Sequence, residues 1–141
     1  MAAIQQESQF GAAFEVTGTV NLVEAAAIAP SSILRTTQDA QVQFDITTSG
    51  AGTGSIGGTL RLTAYFEGLG STAPELDFGP VDVTLTPGPS PVNYFGSISI
   101  PANTIPPGTY QLVGVVSYLD LTNAPGPVAA FSDMQLLRVY A

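Results

Sequence analysis

PANTIPPGTYQLVGVVSY, residues 101–118, is the stretch that decides how the chain is read. Pro101, Pro106 and Pro107 punctuate its approach, and Gly108 leads into Tyr110, Leu112 and Val116, spaced at even positions. Successive side chains of a strand point to opposite faces, so this alternation predicts a strand over about 109–119, with the proline-rich loop marking its start. Tyr110, Leu112 and Val116 are then core residues. The intervening Val113 and Val115, with Leu119 beyond them, are apolar where a strand with one solvated face would be polar.

The same period extends outward in both directions. Phe14, Val16, Val20 and Leu22 alternate with Glu15, Thr17, Thr19 and Asn21, giving a first strand near 13–23. Val42, Phe44 and Ile46 define a second, and Leu60, Leu62, Ala64 and Phe66 a third over 59–67 whose other face carries Arg61, Thr63, Tyr65 and Glu67. A shorter fourth uses Val81, Val83 and Leu85. The fifth uses Val92, Tyr94, Ile98 and Ile100, with Gly96 suggesting a bulge or close approach. The sixth is the opening stretch, and the seventh runs over 128–140.

Pieces rich in Gly, Pro, Asn or Ser separate these strands at 49–58, 68–80, 86–91 and 121–127. No segment carries a sustained 3.6-residue stripe, and the one helical candidate, EAAAIA at 24–29, is cut short by Pro30. The 141 residues suit one domain with one core. The expectation is an all-β domain over 13–141, a single seven-stranded two-sheet sandwich with Greek-key connections. Residues 1–12, polar and Gln-rich, are expected to form an N-terminal extension that serves as an assembly or docking arm.

Two resemblances add to this. A tyrosine near the start of the sixth strand, with Gly108 two residues before Tyr110 and Leu112 two residues after it, resembles the tyrosine corner of immunoglobulin-like sandwiches. The cysteine of antibody domains is replaced by Leu112, so the likeness is to the disulfide-free relatives. It implies a fold and no activity. More loosely, Leu34-Arg35-Thr36, Tyr65-Phe66-Glu67, Pro74-Glu75-Leu76, the PANTIPPGTY segment and the run from Pro125 to Phe131 resemble short, stand-alone bacterial proteins of unknown function.

Composition narrows the functions. Charged residues are 10% of the chain, against roughly 25% in an ordinary globular protein. Arg35, Arg61 and Arg138 are the only basic side chains beside 11 carboxylates, giving a net charge of −8. That balance repels phosphate backbones and anionic lipid, so no nucleic-acid partner is expected. No apolar run reaches the ~20 residues of a spanning helix, so no membrane insertion is expected either. The N-terminus lacks the basic and apolar regions of a signal peptide: a cytoplasmic location follows if Met1 is the native start, an extracellular one if a leader was removed.

With no His, Lys or Cys, the bases that activate a Ser, Thr or Cys nucleophile are missing. The expectation is a non-enzymatic protein. Glu75, Asp77 and Asp82 are the nearest candidates for paired acid and base work on a glycosidic bond, without the Trp or His that commonly line such clefts. Gly52, Gly54 and Gly57 spell G-x-G-x-x-G, but TLRLTAYFE continues as a strand where the dinucleotide fingerprint needs a helix, so a plain loop is expected. Glu75, Asp77, Asp120 and Asp133 offer hard oxygen ligands of the type calcium takes, without its characteristic spacing. No cofactor and no small-molecule ligand are expected.

What remains is a surface. Tyr65, Val113, Val115 and Leu119 are expected to share the outer face of one sheet, joined by one face of the seventh strand: Phe131, Leu137 and Val139, or Met134, Leu136 and Tyr140. Such a patch marks an interaction site unless a loop, the N-terminal segment or a bulge removes it from solvent. Self-association or docking on a protein partner is the expected function. The alternative is recognition of a carbohydrate or protein by strand-end loops carrying Tyr94, Glu75, Asp77 and Asp120.

Overall fold

The computed structural model describes residues 2–8, 14–24, 32–70 and 73–141. Among these, ten strands and one short 3-10 turn account for the regular structure. In chain order the strands are β1 (Ala2–Ser8), β2 (Glu15–Glu24), β3 (Ile33–Arg35), β4 (Ala40–Ser49), β5 (Thr59–Leu69), β6 (Leu76–Thr84), β7 (Val92–Ile100), β8 (Gly108–Leu119), β9 (Pro125–Ser132) and β10 (Gln135–Tyr140).

They pair into two hydrogen-bonded layers. In the first, β4 lies antiparallel between β2 and β7, and the start of β1 adds to β2 through Ala2↔Val20 and Ala3↔Thr19. In the second, β5 lies antiparallel between β6 and β8. The other edge of β8 is shared, with β10 along Gly108–Leu112 and β9 along Val115–Leu119. β3 extends that layer beyond β10 as a parallel pair. The remainder of β1, from Ile4 to Ser8, pairs with β9, so β1 passes from one layer to the other and joins them.

Alternation explains which faces meet. Val20, Leu22, Phe44 and Ile46 of the first layer share one core with Leu60, Leu62, Phe66, Leu112 and Val116 of the second. Gly114 marks a close approach, since a Cβ there would stand 2.8 Å from Val20 Cγ2 and 2.9 Å from Phe44 Cε1, and Gly96 marks another, where a Cβ would run into Leu62 Cδ1. The all-β architecture, a mixed sheet folded so that its layers face each other, is compatible with a β-sandwich.

The opening stretch takes its expected place. β8 is buried at Tyr110, Leu112 and Val116, and the Tyr110 hydroxyl donates to the Pro106 carbonyl at 2.7 Å, four residues upstream. Gly108 leaves room beside the ring, where a Cβ would come within 3.4 Å of Tyr110 Cε2. Phe66 meets the same ring edge-on at 6.4 Å between centroids.

Four features differ from the expectation, the first being β6, which begins at Leu76 within the stretch expected to be a loop. Residues 2–8, assigned to an extension, form β1 within the chain's own sheet, because backbone pairing stabilises a strand whose AAIQQES sequence shows little alternation. β3 is only three residues long, too short for a period to register. The single seventh strand is two, β9 and β10, divided at Asp133 and Met134, where the Asp133 N–H turns aside to the Ala3 carbonyl at 3.0 Å. From Ala25 onward the helix candidate of 24–29 lies outside the described residues, as do residues 9–12 of the N-terminal segment.

Candidate interaction face

The outer face of the second layer is assembled from register. Tyr65 on β5 stands directly opposite Val113 on β8, and Thr63 opposite Val115. On its other side Val115 faces Phe131 of β9, while Gln111 faces Leu136 of β10. Directly opposed residues bring their Cβ atoms within about 5.5 Å, so Tyr65, Val113, Val115 and Phe131 form one continuous apolar band across three strands. Val113 and Val115 are half-buried by their neighbours. Around them Tyr65 is 46% exposed, Phe131 42%, Leu136 63% and Met134 64%.

Leu119 does not belong to this face. The β8–β9 register shifts between Ser117 and Leu119, alternation is lost, and Tyr118 and Leu119 are both buried. The Tyr118 hydroxyl donates to the Gly57 carbonyl at 2.7 Å, tying this end of β8 to the loop before β5.

The division at Asp133 and Met134 decides which residues of the last segment face outward. Phe131 from one expected set and Leu136 and Tyr140 from the other lie outside, while Leu137 and Val139 are buried. Asp133 and Met134 are both exposed, so alternation resumes out of phase in β10 and the face collects apolar groups from both sets.

Charge is distributed on the same face. All three arginines of the chain lie on it, at outward positions of β5, β10 and β3. Arg61 makes a two-pronged pair with Asp82, at 2.8 and 3.0 Å, which holds the Asp82 carboxyl below its ordinary range. Both partners are well exposed, so the pair contributes little to the stability of the fold. The Arg138 guanidinium donates to Thr109 Oγ1 at 2.9 Å, and the Arg35 guanidinium lies 5.4 Å from the Tyr140 ring centroid.

The outer face of the first layer is chemically different. Its rows pair Gln41 with Ser99, Gln43 with Ser97 and Thr47 with Asn93, the last joined by a 2.9 Å hydrogen bond. Phe95 is the one large, well-exposed apolar residue of β7. Outer faces that differ in this way, one of hydroxyls and amides and one apolar, are not dictated by the core, since both layers already bury their inner sides. No family model and no curated protein matches the chain.

The loop residues considered for ligand binding are largely engaged elsewhere. The Tyr94 hydroxyl accepts from the Thr86 N–H at 2.9 Å and donates to its carbonyl at 3.1 Å, bracing the loop between β6 and β7. The Asp120 carboxylate accepts from the Thr122 hydroxyl and from the N–H groups of Ala124 and Thr122, which together hold its pKa below the ordinary value. Asp133 accepts from the Gln5 side chain at 2.7 Å. Glu75 and Asp77 line a concavity of about 450 Å³ with Tyr65, Phe66, Glu67 and Leu76, at the edge of the apolar face. No group of three carboxylates placed to hold a metal occurs among the described residues. Gly52 and Gly54 lie in the 3-10 turn Ala51–Gly54, and the chain runs from there through Gly57 into β5.

The ionisable groups predict a flat pH dependence. Burial raises the phenol pKa of Tyr110, and burial together with the Asp120 charge raises that of Tyr118. Raised values mean stability that is complete below the ordinary tyrosine pKa of about 10 and lost as pH climbs through the folded values. Asp82 and Asp120 are lowered, so their contribution is present above about pH 4 and lost as pH falls through the folded values. With no His, Lys or Cys between these limits, the denaturation midpoint is expected to stay level from about pH 5 to 9 and to fall on either side. Chemical denaturation across that range is the check; a titration step near neutrality would contradict it.

Proposed function

We propose that the protein is a non-enzymatic structural or interaction protein that associates with copies of itself, or docks on a larger assembly, through the outer face of the β5, β8, β9 and β10 layer. The observation that carries this is the band of Tyr65, Val113, Val115 and Phe131, extended by exposed Leu136 and Met134. Apolar residues grouped on a regular sheet face favour association over solvation. The engagement of Tyr94, Asp120 and Asp133 in bonds within the chain weighs against the loops as a ligand site.

The fold reading that accompanies this is immunoglobulin-like. Its supports are β2-β4-β7 facing β6-β5-β8 with β9 and β10 on the far edge of β8, and the bond from Tyr110 to Pro106 at the start of β8.

Light scattering at micromolar concentration tests the function. The chain is expected to show a multiple of its monomer mass. Val113→Asp places a carboxylate in the centre of the face and is expected to weaken association about 30-fold, equivalent to roughly 2 kcal/mol. A wild-type monomer that stays monomeric in the presence of cell extract overturns the proposal.

A further inference from the structure

Resting on the reading of this face as an interaction surface, we infer that its occupant is a second copy of the chain, related by a two-fold axis running along β8. The order of charge across the layer carries the inference. On the β6 side lie Glu75, Asp77 and, on β5, Glu67; on the far side lie Arg138 of β10 and Arg35 of β3. The apolar band occupies the strip between them. Arg61 and Asp82 on the β6 side offset each other and Asp133 on the far side is bonded to Gln5, so the remaining charges read acid, apolar, base from one edge to the other.

A two-fold axis along β8, in the plane between two facing copies, exchanges the edges. Positions along the strands are kept, so Glu67, level with Gln111, comes within one outward row of Arg138 of the other copy, level with Thr109, and both contacts form because the symmetry repeats them. Val113 and Val115 lie on the axis and meet their own counterparts. Tyr65 comes over the Met134 side of the partner, a pairing of ring and thioether that is itself favourable. A two-fold across the strands would set acid on acid and base on base. Head-to-tail stacking on the first layer would press the apolar band against the Gln, Thr and Ser rows, stripping water from amides and hydroxyls without replacing their hydrogen bonds.

The face is also large enough. Five strand positions and about five outward rows, at roughly 4.8 Å and 6.7 Å spacing, span about 600 Å² in projection. Side-chain relief brings that near the roughly 800 Å² per partner of a standard interface. Overall repulsion between two chains of charge −8 is screened beyond about 8 Å at physiological ionic strength, whereas Glu67 and Arg138 of facing copies are offset by one outward row of about 6.7 Å.

Sedimentation equilibrium with Glu67→Arg and Arg138→Glu tests the pairing, since both positions are exposed. Each variant alone is expected to dimerise about tenfold or more less tightly than wild type, because reversal creates like-charge contacts at both symmetric sites. An equimolar mixture is expected to recover a one-to-one heterodimer of near wild-type affinity, as every contact is again between opposite charges. If the reversals change nothing while Val113→Asp still dissociates the protein, the interaction face stands and the proposed two-fold falls. If the mixture stays as weak as its components, the pairing is likewise overturned. A wild-type chain monomeric at all concentrations overturns both.

Discussion

A Gly18→Ala variant is expected to lose at least about 3 kcal/mol of folding stability. Gly18 is paired with Ile46 in the middle of the β2–β4 ladder, with φ at +148°, a conformation that side chains disfavour. An added Cβ would run into the Asp45 carbonyl oxygen, and the next obstacles, the Asp45 carbonyl carbon at 2.9 Å and Ile46 Cα at 3.1 Å, are also backbone. A flexible side chain can swing away; two hydrogen-bonded strands have to separate. Domains of this size are stable by only about 5–15 kcal/mol, so the loss is a large fraction of the total. Gly54→Ala is the control, since a Cβ there meets nothing within 4 Å, and a change within about 0.5 kcal/mol is expected. Equal losses for the two in guanidinium denaturation would show that close approach at β2 and β4 is not the cause.

Phe44→Ala is expected to cost about 3–5 kcal/mol. Phe44 is fully buried on β4, opposite Val20 on one side and Gly96 on the other, and its ring reaches across to the β8 backbone at Gly114. The site has little freedom to collapse, because it lies between two continuous ladders. Gly114→Ala pushes on the same contact from the other layer and is expected to cost about 1–3 kcal/mol in the wild-type background. Combined with Phe44→Leu, it should cost less than the sum of the single changes, since the shorter side chain vacates the space the methyl needs. A double-mutant cycle by chemical denaturation measures this coupling; strict additivity would mean that the layers do not meet there.

Much of the architecture is legible in the residues because its strands bury one clean face. Val42 to Ile46 and Leu60 to Phe66 alternate without interruption and Phe14 to Leu22 with a break at Gly18, and β2, β4 and β5 fall within about two residues of where that alternation places them. β1 is not legible, since Ala2 to Ser8 is held by backbone pairing on both edges rather than by an apolar stripe. β6 is longer than Val81 to Leu85 suggests because a register shift between Leu62 and Ala64 carries the pairing on to Leu76.

The interaction face is legible at its centre and not at its ends. Val113 and Val115 follow from their odd positions on a strand whose even positions are core, and Tyr65 from the same parity on β5. Leu119 has that parity too, but the shift after Ser117 turns it inward, a consequence of pairing with β9 that no single-strand pattern carries. Leu136 and Met134 depend on where the last segment divides. The gathering of Arg35, Arg61 and Arg138 on one layer appears only when β3, β5 and β10 are placed side by side.

Hydroxyl-radical footprinting as a function of protein concentration addresses the covered face most directly, because the chain contains its own controls. Phe95 and Leu121 are exposed at 57% and 84% but lie off the face, on β7 and in the loop after β8. Oxidation of Tyr65, Phe131 and Met134 is expected to slow as concentration rises from nanomolar to micromolar, while Phe95 and Leu121 stay equally reactive throughout. Protection that spares the face, or no concentration dependence at any of these residues, would contradict the account.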